Sequence, residues 1–440
     1  MHRLCLLSLI LFTCLHAVQA RAEKPNILFL LADDLGWRDL GCYHTTFYES
    51  PALDQLARDG MRFTHAYTAG TVCSPTRASI ITGQTPARHG CTNYGGNIHS
   101  RDHIGLARAL RNGGYHTFFT GKWHIGGMTP TMAGFDVSQE IQPRGGPDDD
   151  PKSTRKITAN TIAFLKGQSR NKSFFAYVNY HAVHLPLAER PQTVDKYRRK
   201  LKTTPPKPVG PTGLEKERDR TNKQLQDNPQ YAAMVEAIDH SVAQILTTLK
   251  SQGLEKNTIV IFSSDNGGLS TKPCTSNLPL RAGKGWIYEG GIRVPLIIRW
   301  GGRIAGNTST DVPVTSMDFY PTLLAIAGLP PMPKQHRDGI NIAELLTSGK
   351  PLARDTLYWH YPHYHGAGCI PVGALREGQL KLVHWFGQDR YELYDLENDP
   401  SELTDLSKSR PQDVARLTKK LDRWQASFSD IKFDSVNPFK

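Results

Sequence analysis

Four short apolar runs, each followed at once by polar or charged residues, constrain the fold of this chain most strongly. The runs are Asn26–Leu31, Thr117–Thr120, Phe174–Tyr180 and Thr258–Phe262. Continuous apolar runs of this length are typical of strands buried on both faces, as in a parallel sheet covered by helices. Helical patterns lie between them, at Ser50–Arg58, Gly105–Asn112 and Tyr231–Gln252. This alternation predicts an α/β fold, with a large, mostly parallel sheet covered by helices on both faces.

The polar residues after the four runs are predicted to meet at one edge of this sheet. Open α/β sheets bind ligands beyond the carboxyl ends of their strands. The four clusters are Asp33-Asp34, Gly121–His124, His181–His184 and Asp265–Gly268. We therefore expect the functional site at this edge.

The pattern changes after about Pro330, where short strand-like segments replace the longer runs. They are followed by a helical pattern at Pro411–Ser427. This indicates a small C-terminal α+β subdomain with an antiparallel sheet. The predicted division is a signal peptide at 1–22, a catalytic domain at 23–335 and the C-terminal subdomain at 336–440.

Two stretches show no regular periodicity, Arg144–Pro151 and Glu189–Gln230. The simplest interpretation of both is a solvated loop. The alternative for the second stretch, which is rich in Lys, Arg and Pro, is a wall of the site that contacts an anionic substrate.

The first 22 residues read as a targeting segment. A positive start at His2-Arg3 precedes the apolar run Leu4–Leu15 and small residues suited to cleavage. This run is shorter than the roughly 20 residues that span a bilayer. We expect a secreted or periplasmic protein, lysosomal or extracellular in a eukaryote, without a stable membrane anchor. The net charge of +12 favours anionic partners, but no nucleic-acid motif accompanies it, so no nucleic acid is expected to bind.

Five cysteines remain after the targeting segment: Cys42, Cys73, Cys91, Cys274 and Cys369. None forms a C-x-x-C pair, so neither a zinc site nor a thioredoxin-like centre is indicated. Cysteines of exported proteins usually pair. The odd count therefore predicts that one of the five has another role.

The segment Cys73–Gly83 has the features of a helix start. Ser74 can cap the helix, Pro75 suits its first position and Gly83 can close it. The amino end of a helix favours a bound oxyanion, and Arg77 adds a cation for the same group. Taken alone, the segment is equally compatible with an ordinary capped helix and a buried cysteine.

This segment resembles the signature of the type I sulfatases, which belong to the alkaline phosphatase superfamily. In that family the cysteine of C-x-P-x-R is oxidised to formylglycine. Cys73, Pro75 and Arg77 match the motif, whereas Thr76 and Ile81 stand where serine and leucine are common. The resemblance extends from residue 24 to about residue 406. It implies an alkaline phosphatase-like fold and a formylglycine-generating enzyme as a partner during maturation.

The resemblance also implies a metal site. Asp33, Asp34, Asp265 and Asn266 match the family's calcium ligands, together with the modified Cys73. Hard oxygen ligands from two strand ends suit Ca²⁺ and need no histidine. Mg²⁺ stays open, because ligand type alone does not fix ion size. An isolated Asp-Asp pair after a strand is more commonly a turn or helix cap.

Further matches imply the catalytic groups. Lys122 would hold an oxygen of the nucleophile or sulfate, and His124 would take the proton of a formylglycine hydroxyl. His184 matches the family's sulfate-contacting histidine, with His181 supporting it, and Lys284 matches the family's lysine segment. In the implied mechanism a hydroxyl of the hydrated aldehyde attacks sulfur, and His184 or Lys284 protonates the departing alcohol.

The histidine-rich stretch His360–His365 allows two interpretations. Its side chains either pack the small sheet on the main domain or form a rim around the substrate.

Two other functions compete with sulfate ester hydrolysis. The first is a phosphomonoester or phosphodiester hydrolase of the same superfamily, since fold alone does not separate the two. Lysines and histidines in place of a second metal's ligands favour sulfate. The second is a non-catalytic binder of sulfated polysaccharide with an unmodified Cys73. The expected substrate is a sulfated small molecule or saccharide, with the sugar and the sulfate position left open.

Overall fold

The computed structural model of the protein describes residues 24–99, 103–142, 149–169, 171–271, 274–388, 390–428 and 433–438. The predicted signal peptide, residues 1–22, lies outside these ranges. Within them, no helix is both long enough and apolar enough to cross a membrane.

Within the described residues, nine strands form the main sheet, and β9 alone among them runs antiparallel to its neighbours. The strand order is β10-β2-β9-β8-β1-β5-β3-β4, with β11 also paired to β2, and a separate hairpin joins β6 to β7. The strands are β1 Asn26–Ala32, β2 Met61–Tyr67, β3 His116–Gly121, β4 Val137–Glu140, β5 Phe174–Asn179, β6 Lys216–Glu217, β7 Arg220–Thr221, β8 Thr258–Ser264, β9 Arg293–Trp300, β10 Thr308–Thr310 and β11 Val314–Thr315. The predicted mostly parallel sheet is confirmed.

Helices cover both faces of this sheet, which explains why the apolar runs lack alternation. In β1, Leu28 and Leu30 join one hydrophobic cluster, whereas Phe29 and Leu31 join the other. The helices are α1 Pro51–Arg58, α2 Cys73–Thr82, α3 Pro86–His89, α4 Leu106–Asn112, α5 Pro130–Ala133, α6 Thr154–Lys166, α7 Pro191–Thr203, α8 Pro229–Ser251, α9 Glu289–Ile292, α10 Phe319–Ile326, α11 Ala343–Ser348 and α12 Pro411–Gln425. Short 3₁₀ turns lie at Gly41–Tyr43, Glu255–Asn257 and Ser316–Asp318. The three predicted helices correspond to α1, α4 and α8.

The sequence patterns do not predict β2 or β9. Pro295 lies inside β9, although proline has no N–H for a strand ladder. The register shifts at this point, because Phe63 pairs with Leu296 and Ala66 pairs with Val294. Two residues of β2 therefore face one proline in a bulge, so the missing proline N–H falls where the ladder is already interrupted.

The interpretation of residues 189–230 as one solvated loop is wrong. This stretch contains α7 and the β6–β7 hairpin. Helix α7 packs on α8 through Val194 and Tyr197, which are buried. Of the other predicted loop, residues 144–148 lie outside the described residues, and Asp150 is buried rather than solvated.

The C-terminal subdomain is a four-stranded antiparallel sheet with one covering helix, as the sequence predicts. Helix α12 contributes Leu417 and Leu421 to a small core with leucines of the sheet. The chain division at 335/336 stays a prediction. The strands, in sheet order, are β12 Thr356–Tyr361, β13 Val372–Glu377, β14 Leu380–Trp385 and β15 Arg390–Asp395.

Buried ion pairs join the two sheets. Lys381 of β14 lies 3.0 Å from Glu289 and 2.8 Å from Glu402, and all three side chains are fully buried. Glu289 also accepts a hydrogen bond from Tyr67 of β2, at 2.7 Å. The C-terminal sheet is therefore fixed to the main domain by charge as well as by apolar packing.

Candidate active site

The four polar clusters meet at one edge of the main sheet. Strands β8, β1, β5 and β3 are neighbours and run parallel, so their carboxyl ends share this edge. Four of the predicted site residues line a single cavity of about 350 Å³: Asp33, Lys122, His124 and His184. The others are buried beside or beneath it.

Helix α2 carries Cys73 to this edge, but it begins two residues earlier than predicted. Val72 is the extended residue before the helix, and Cys73 is its first residue. Ser74 is therefore not the cap; its hydroxyl accepts a hydrogen bond from the Gly95 N–H, at 2.9 Å. Gly83, at φ +66°, ends the helix as predicted. Every residue of α2 is buried.

Cys73 faces a cluster of three carboxylates. Its Sγ atom lies 3.4 Å from Asp33 Oδ1 and 3.7 Å from Asp34 Oδ1. The ligand atoms of Asp33, Asp34, Asp265 and Cys73 all lie within 4.8 Å of one another. The Asp34 N–H donates to Asp265 Oδ1 at 3.1 Å, which joins the ends of β1 and β8.

Each carboxylate of the cluster has its own cationic partner. Lys122 Nζ lies 2.5 Å from Asp33 Oδ2, and Lys284 Nζ lies 2.7 Å from Asp34 Oδ2. Arg77 Nε donates to Asp265 Oδ2 at 2.7 Å, and its NH1 donates to the carbonyl oxygen of Lys122 at 2.8 Å. Three positive charges therefore balance three negative charges in a buried volume.

These charges shift the pKa values of the cluster. Burial alone would raise the pKa of Asp33, but Lys122 and His184 help to lower it well below its usual range. Burial raises the pKa of the Cys73 thiol well above its usual value, and the carboxylate of Asp265 adds to this effect. An unmodified Cys73 is therefore a protonated, weakly nucleophilic thiol at neutral pH.

Three histidines lie at this edge in different states. His184 Nδ1 lies 2.6 Å from the Leu185 carbonyl oxygen, so Nδ1 carries the hydrogen. Its Nε2 lies 3.7 Å from Asp34 Oδ2 and is left for proton exchange. Burial lowers the pKa of His124 to about 3, and burial lowers that of His181 to about 4. His181 bonds to the backbone at residue 141, which fits a supporting position.

The cluster fits a hard divalent cation. Oxygen ligands at 2.3–2.6 Å from a Ca²⁺ ion lie within about 5 Å of one another. Asn266 Nδ2 donates to Asp34 Oδ1 at 2.8 Å, but the Asn266 Oδ1 atom is buried and has no hydrogen-bond partner among the described residues. A buried amide oxygen without a donor is costly. A cation beside the carboxylates would satisfy it.

The five cysteines do not pair in the structure. No disulfide bond joins any two of the described cysteines Cys42, Cys73, Cys91, Cys274 and Cys369. The odd count therefore does not distinguish Cys73 from the others. Cys73 differs from the other cysteines in its position, because it is the first residue of α2 and lies beside three carboxylates.

The histidine-rich stretch divides between the two interpretations. His360 is buried in β12 and packs on Phe386. His363 bonds to Thr92 and Asp434. Only His365 of these histidines lines the larger cavity of about 600 Å³ that lies beside the site. The sequence offers no signal that separates the three.

Two groups at the cavities were not among the predicted site residues. Lys152 lines the 350 Å³ cavity and is 5% exposed. Arg218 and Arg220, from the β6–β7 hairpin, line the 600 Å³ cavity. Lys152 directly follows one irregular stretch and the two arginines lie within the other, where no periodicity indicates which side chains turn inward.

Comparison with known proteins identifies the family to which this chain belongs. The sequence profile of the sulfatase family matches residues 25–329. The chain belongs to the sulfatase family. A second profile, of the C-terminal region of N-sulphoglucosamine sulphohydrolase, matches residues 282–427.

Relatives of this sulfatase cover nearly all of the chain. A sulfatase of Formosa agariphila is 30% identical, over 91% of this chain and 89% of that protein. Human arylsulfatase A is 30% identical, over 89% and 85%. The crystal structure of Ps i-CgsB in complex with k-i-k-neocarrahexaose is similar at 26% identity and a TM-score of 0.76, over 94% of this chain and 95% of that one. This sulfatase is a sulfuric ester hydrolase of the alkaline phosphatase-like fold.

Proposed function

We propose that this sulfatase removes sulfate from a saccharide, with a formylglycine made from Cys73 as nucleophile and one Ca²⁺ ion as cofactor. The observation that carries the proposal is the convergence of Cys73 with three carboxylates. Their ligand atoms and the Cys73 Sγ lie within 4.8 Å of one another. A nucleophile at the first position of α2 also faces the positive end of that helix, which favours an attacked anion.

The proposed ligands of the ion are Asp33, Asp34, Asp265 and Asn266, together with the modified residue 73. Bound there, Ca²⁺ would lower the pKa of the nucleophile and offset charge on the sulfate group. The carboxylates are already balanced by Arg77 and two lysines. A divalent ion therefore leaves the site net positive, which suits an anionic ester.

Formylglycine in its hydrated form supplies two hydroxyl groups on one carbon. Lys122 and Lys284, held by Asp33 and Asp34, place two ammonium groups beside that carbon and the sulfate oxygens. The Nε2 atom of His184, 3.7 Å from Asp34 Oδ2, would give a proton to the leaving oxygen when both ring nitrogens carry hydrogen. His124, neutral at pH 7 and without a partner at Nδ1 among the described residues, suits acceptance of a proton.

A saccharide substrate is supported by the space around the site. The 350 Å³ and 600 Å³ cavities are within the size range of small-molecule sites. Tyr364, Phe386 and Phe433 offer apolar faces in the larger cavity, and Arg218 and Arg220 offer hydrogen-bond donors. The relative that holds a neocarrahexaose binds a saccharide on a similar fold.

Two measurements test this function. Mass spectrometry of the Cys73 peptide, after expression with a formylglycine-generating enzyme, should find the aldehyde or its hydrate. Fully active protein with an intact thiol would contradict the mechanism. Cys73→Ser should retain substrate binding but lose multiple turnover, because serine has no second hydroxyl to expel the sulfate. Turnover of that variant at the unsubstituted rate would overturn the proposal.

Matched substrates separate this function from its two competitors. An aryl sulfate should be hydrolysed far faster than the corresponding aryl phosphate, and the reverse order would indicate a phosphohydrolase. Defined sulfated mono- and disaccharides should lose sulfate at one position. Binding without desulfation by protein that carries formylglycine would indicate a non-catalytic binder.

A further inference from the structure

Lys152 has an unusual position for a lysine. Its side chain lines the catalytic cavity and it is 5% exposed. Among the described residues, no carboxylate lies within ion-pair distance of its ammonium group and no acceptor is within hydrogen-bond distance. The other lysine of this cavity, Lys122, is paired with Asp33. Glu140, which also lines the cavity, is exposed and does not pair with Lys152.

The backbone around Lys152 is fixed by the start of helix α6. Both carboxylate oxygens of Asp150 accept backbone N–H groups, from Arg155 at 3.0 Å and Lys156 at 2.9 Å. The Asp150 carbonyl accepts from the Ser153 N–H at 2.9 Å, and Ser153 has a left-handed backbone at φ +55°. Lys152 is held between these two anchored residues, so its inward direction is built into the turn.

The Lys152 ammonium group opens onto the cavity, but it is partly desolvated and has no ion-pair partner among the described residues, which is unfavourable. Burial lowers the pKa of Lys152 to about 8, so most of the population still carries the charge at pH 7. The free-energy cost of this desolvated charge is smaller if an anion from outside the chain occupies the cavity when the protein acts.

The reacting sulfate is not the best match for this lysine. That sulfate would lie at Cys73, where Lys122 and Lys284 are already held by Asp33 and Asp34, whereas Lys152 forms no ion pair with either carboxylate. A cavity of about 350 Å³ also takes more of the substrate than one sulfate group. Lys152 therefore faces the sugar to which the reacting sulfate is attached, and not that sulfate itself.

We propose that Lys152 binds a second anionic group of the substrate, a sulfate or a carboxylate close to the ester that is cleaved. This inference rests on the proposed function, because it assumes a sulfated saccharide in the catalytic cavity. It makes Lys152 a specificity-determining residue that selects multiply charged sugars over singly sulfated ones. One charge-assisted contact in a buried site contributes enough for roughly tenfold discrimination.

Binding to the Cys73→Ser protein tests the proposal without turnover. Calorimetry would compare singly sulfated galactose, glucosamine and N-acetylgalactosamine with two counterparts of each, one doubly sulfated and one linked to a uronic acid. Either the doubly sulfated counterpart or the counterpart linked to a uronic acid should bind about tenfold tighter than its parent, the singly sulfated sugar. Tighter binding of the first would identify the second group as sulfate, and tighter binding of the other would identify it as carboxylate. Lys152→Met should reduce that ratio to about one, whereas Lys152→Arg should keep most of it.

Lys156→Met is the matched control, since it removes the same charge from an exposed position at the start of α6. It should keep the full ratio. The proposal is overturned if no counterpart binds tighter than its parent, if Lys152→Met leaves the ratio unchanged, or if it weakens parent and counterpart equally. Selective binding that depends on Lys152, in protein whose formylglycine form hydrolyses no sulfate ester, would instead refute the proposed function alone.

Discussion

The Nζ atom of Lys284 lies 2.7 Å from Oδ2 of Asp34, although 250 positions separate the two residues in the sequence. Both side chains are at least nine-tenths buried. Asp34 lies two residues after the central strand β1, and Lys284 lies in the connection between β8 and β9. The Asp34 carboxylate holds the Lys284 ammonium group in place, whereas burial disfavours the charged form of this lysine. Asp34 nevertheless raises the pKa of Lys284 above its usual value, so this lysine stays a cation through the neutral range.

We predict that Lys284→Met lowers kcat/KM for a small aryl sulfate by about 10²–10³-fold. The change removes a fixed positive charge from the reacting group, where such charges contribute most to catalysis. It also leaves Asp34 without its nearest cation. Steady-state kinetics on formylglycine-containing protein would measure the loss. Lys350→Met, which removes an exposed lysine, should change kcat/KM less than twofold, and a similar loss in both variants would contradict a specific role.

Calcium removal should lower thermal stability as well as activity. An ion that binds only the folded state contributes about 2.7 kcal/mol at a concentration 100 times its Kd. Differential scanning fluorimetry with EGTA, and then with excess Ca²⁺, should show a reversible rise in Tm. Asp33→Asn should abolish most of that rise, because it removes one proposed ligand charge. Glu344→Gln, at an exposed carboxylate, should leave it intact; no calcium response in the unsubstituted protein would exclude this ion.

The strand ends of the site could be predicted from the sequence because they obey one local rule. A run such as Asn26–Leu31 is apolar on both faces, so it must be an interior strand, and Asp33 must then lie at its carboxyl end. The same reasoning places Asp265 after β8. Parallel neighbours bring these ends together without further information, which is why the cluster was predictable.

Residues whose positions depend on tertiary packing were not predictable in this way. Lys152 turns inward because Asp150 caps α6, and nothing in the surrounding Asp- and Pro-containing segment indicates that turn. The start of α2 shows a similar limit. Pro75 is tolerated at the third helical position as well as the first, because N–H groups of the first turn have no partner within the helix. Local propensity is therefore equally compatible with Ser74 as the cap and with a helix that begins at Cys73.

The buried cluster between the two sheets should make stability depend on pH. Burial raises the pKa of Glu402 to about 7 from an ordinary value of 4.5, although Lys381 opposes the shift. The folded state therefore binds this proton more tightly than the unfolded state. The resulting stabilisation is complete below about pH 4.5 and is lost as pH rises through 7. At ~1.4 kcal/mol per unit of pKa, it amounts to roughly 3–4 kcal/mol.

Glu402→Gln isolates this contribution, since the amide resembles the protonated acid. Urea denaturation at pH 5 and at pH 8 should show a smaller loss of unfolding free energy in the variant than in the unsubstituted protein. Glu397→Gln, at an exposed carboxylate of the same loop, should reproduce the unsubstituted pH dependence. Equal slopes for Glu402→Gln and the unsubstituted protein would show that Glu402 keeps an ordinary pKa.

His365 should affect saccharides more than small aryl sulfates. Its ring packs against Gly285, where an added Cβ would lie 2.1 Å from the His365 Nδ1 atom, and Gly285 follows Lys284 directly. The same ring lines the 600 Å³ cavity. We predict that His365→Ala raises KM for the saccharide substrate about five- to tenfold and changes aryl sulfate hydrolysis less than twofold. His363→Ala, whose ring bonds to Thr92 and Asp434 instead, should have a smaller effect on the saccharide. Similar losses on both substrates in His365→Ala would mean that the ring supports Lys284 rather than the sugar.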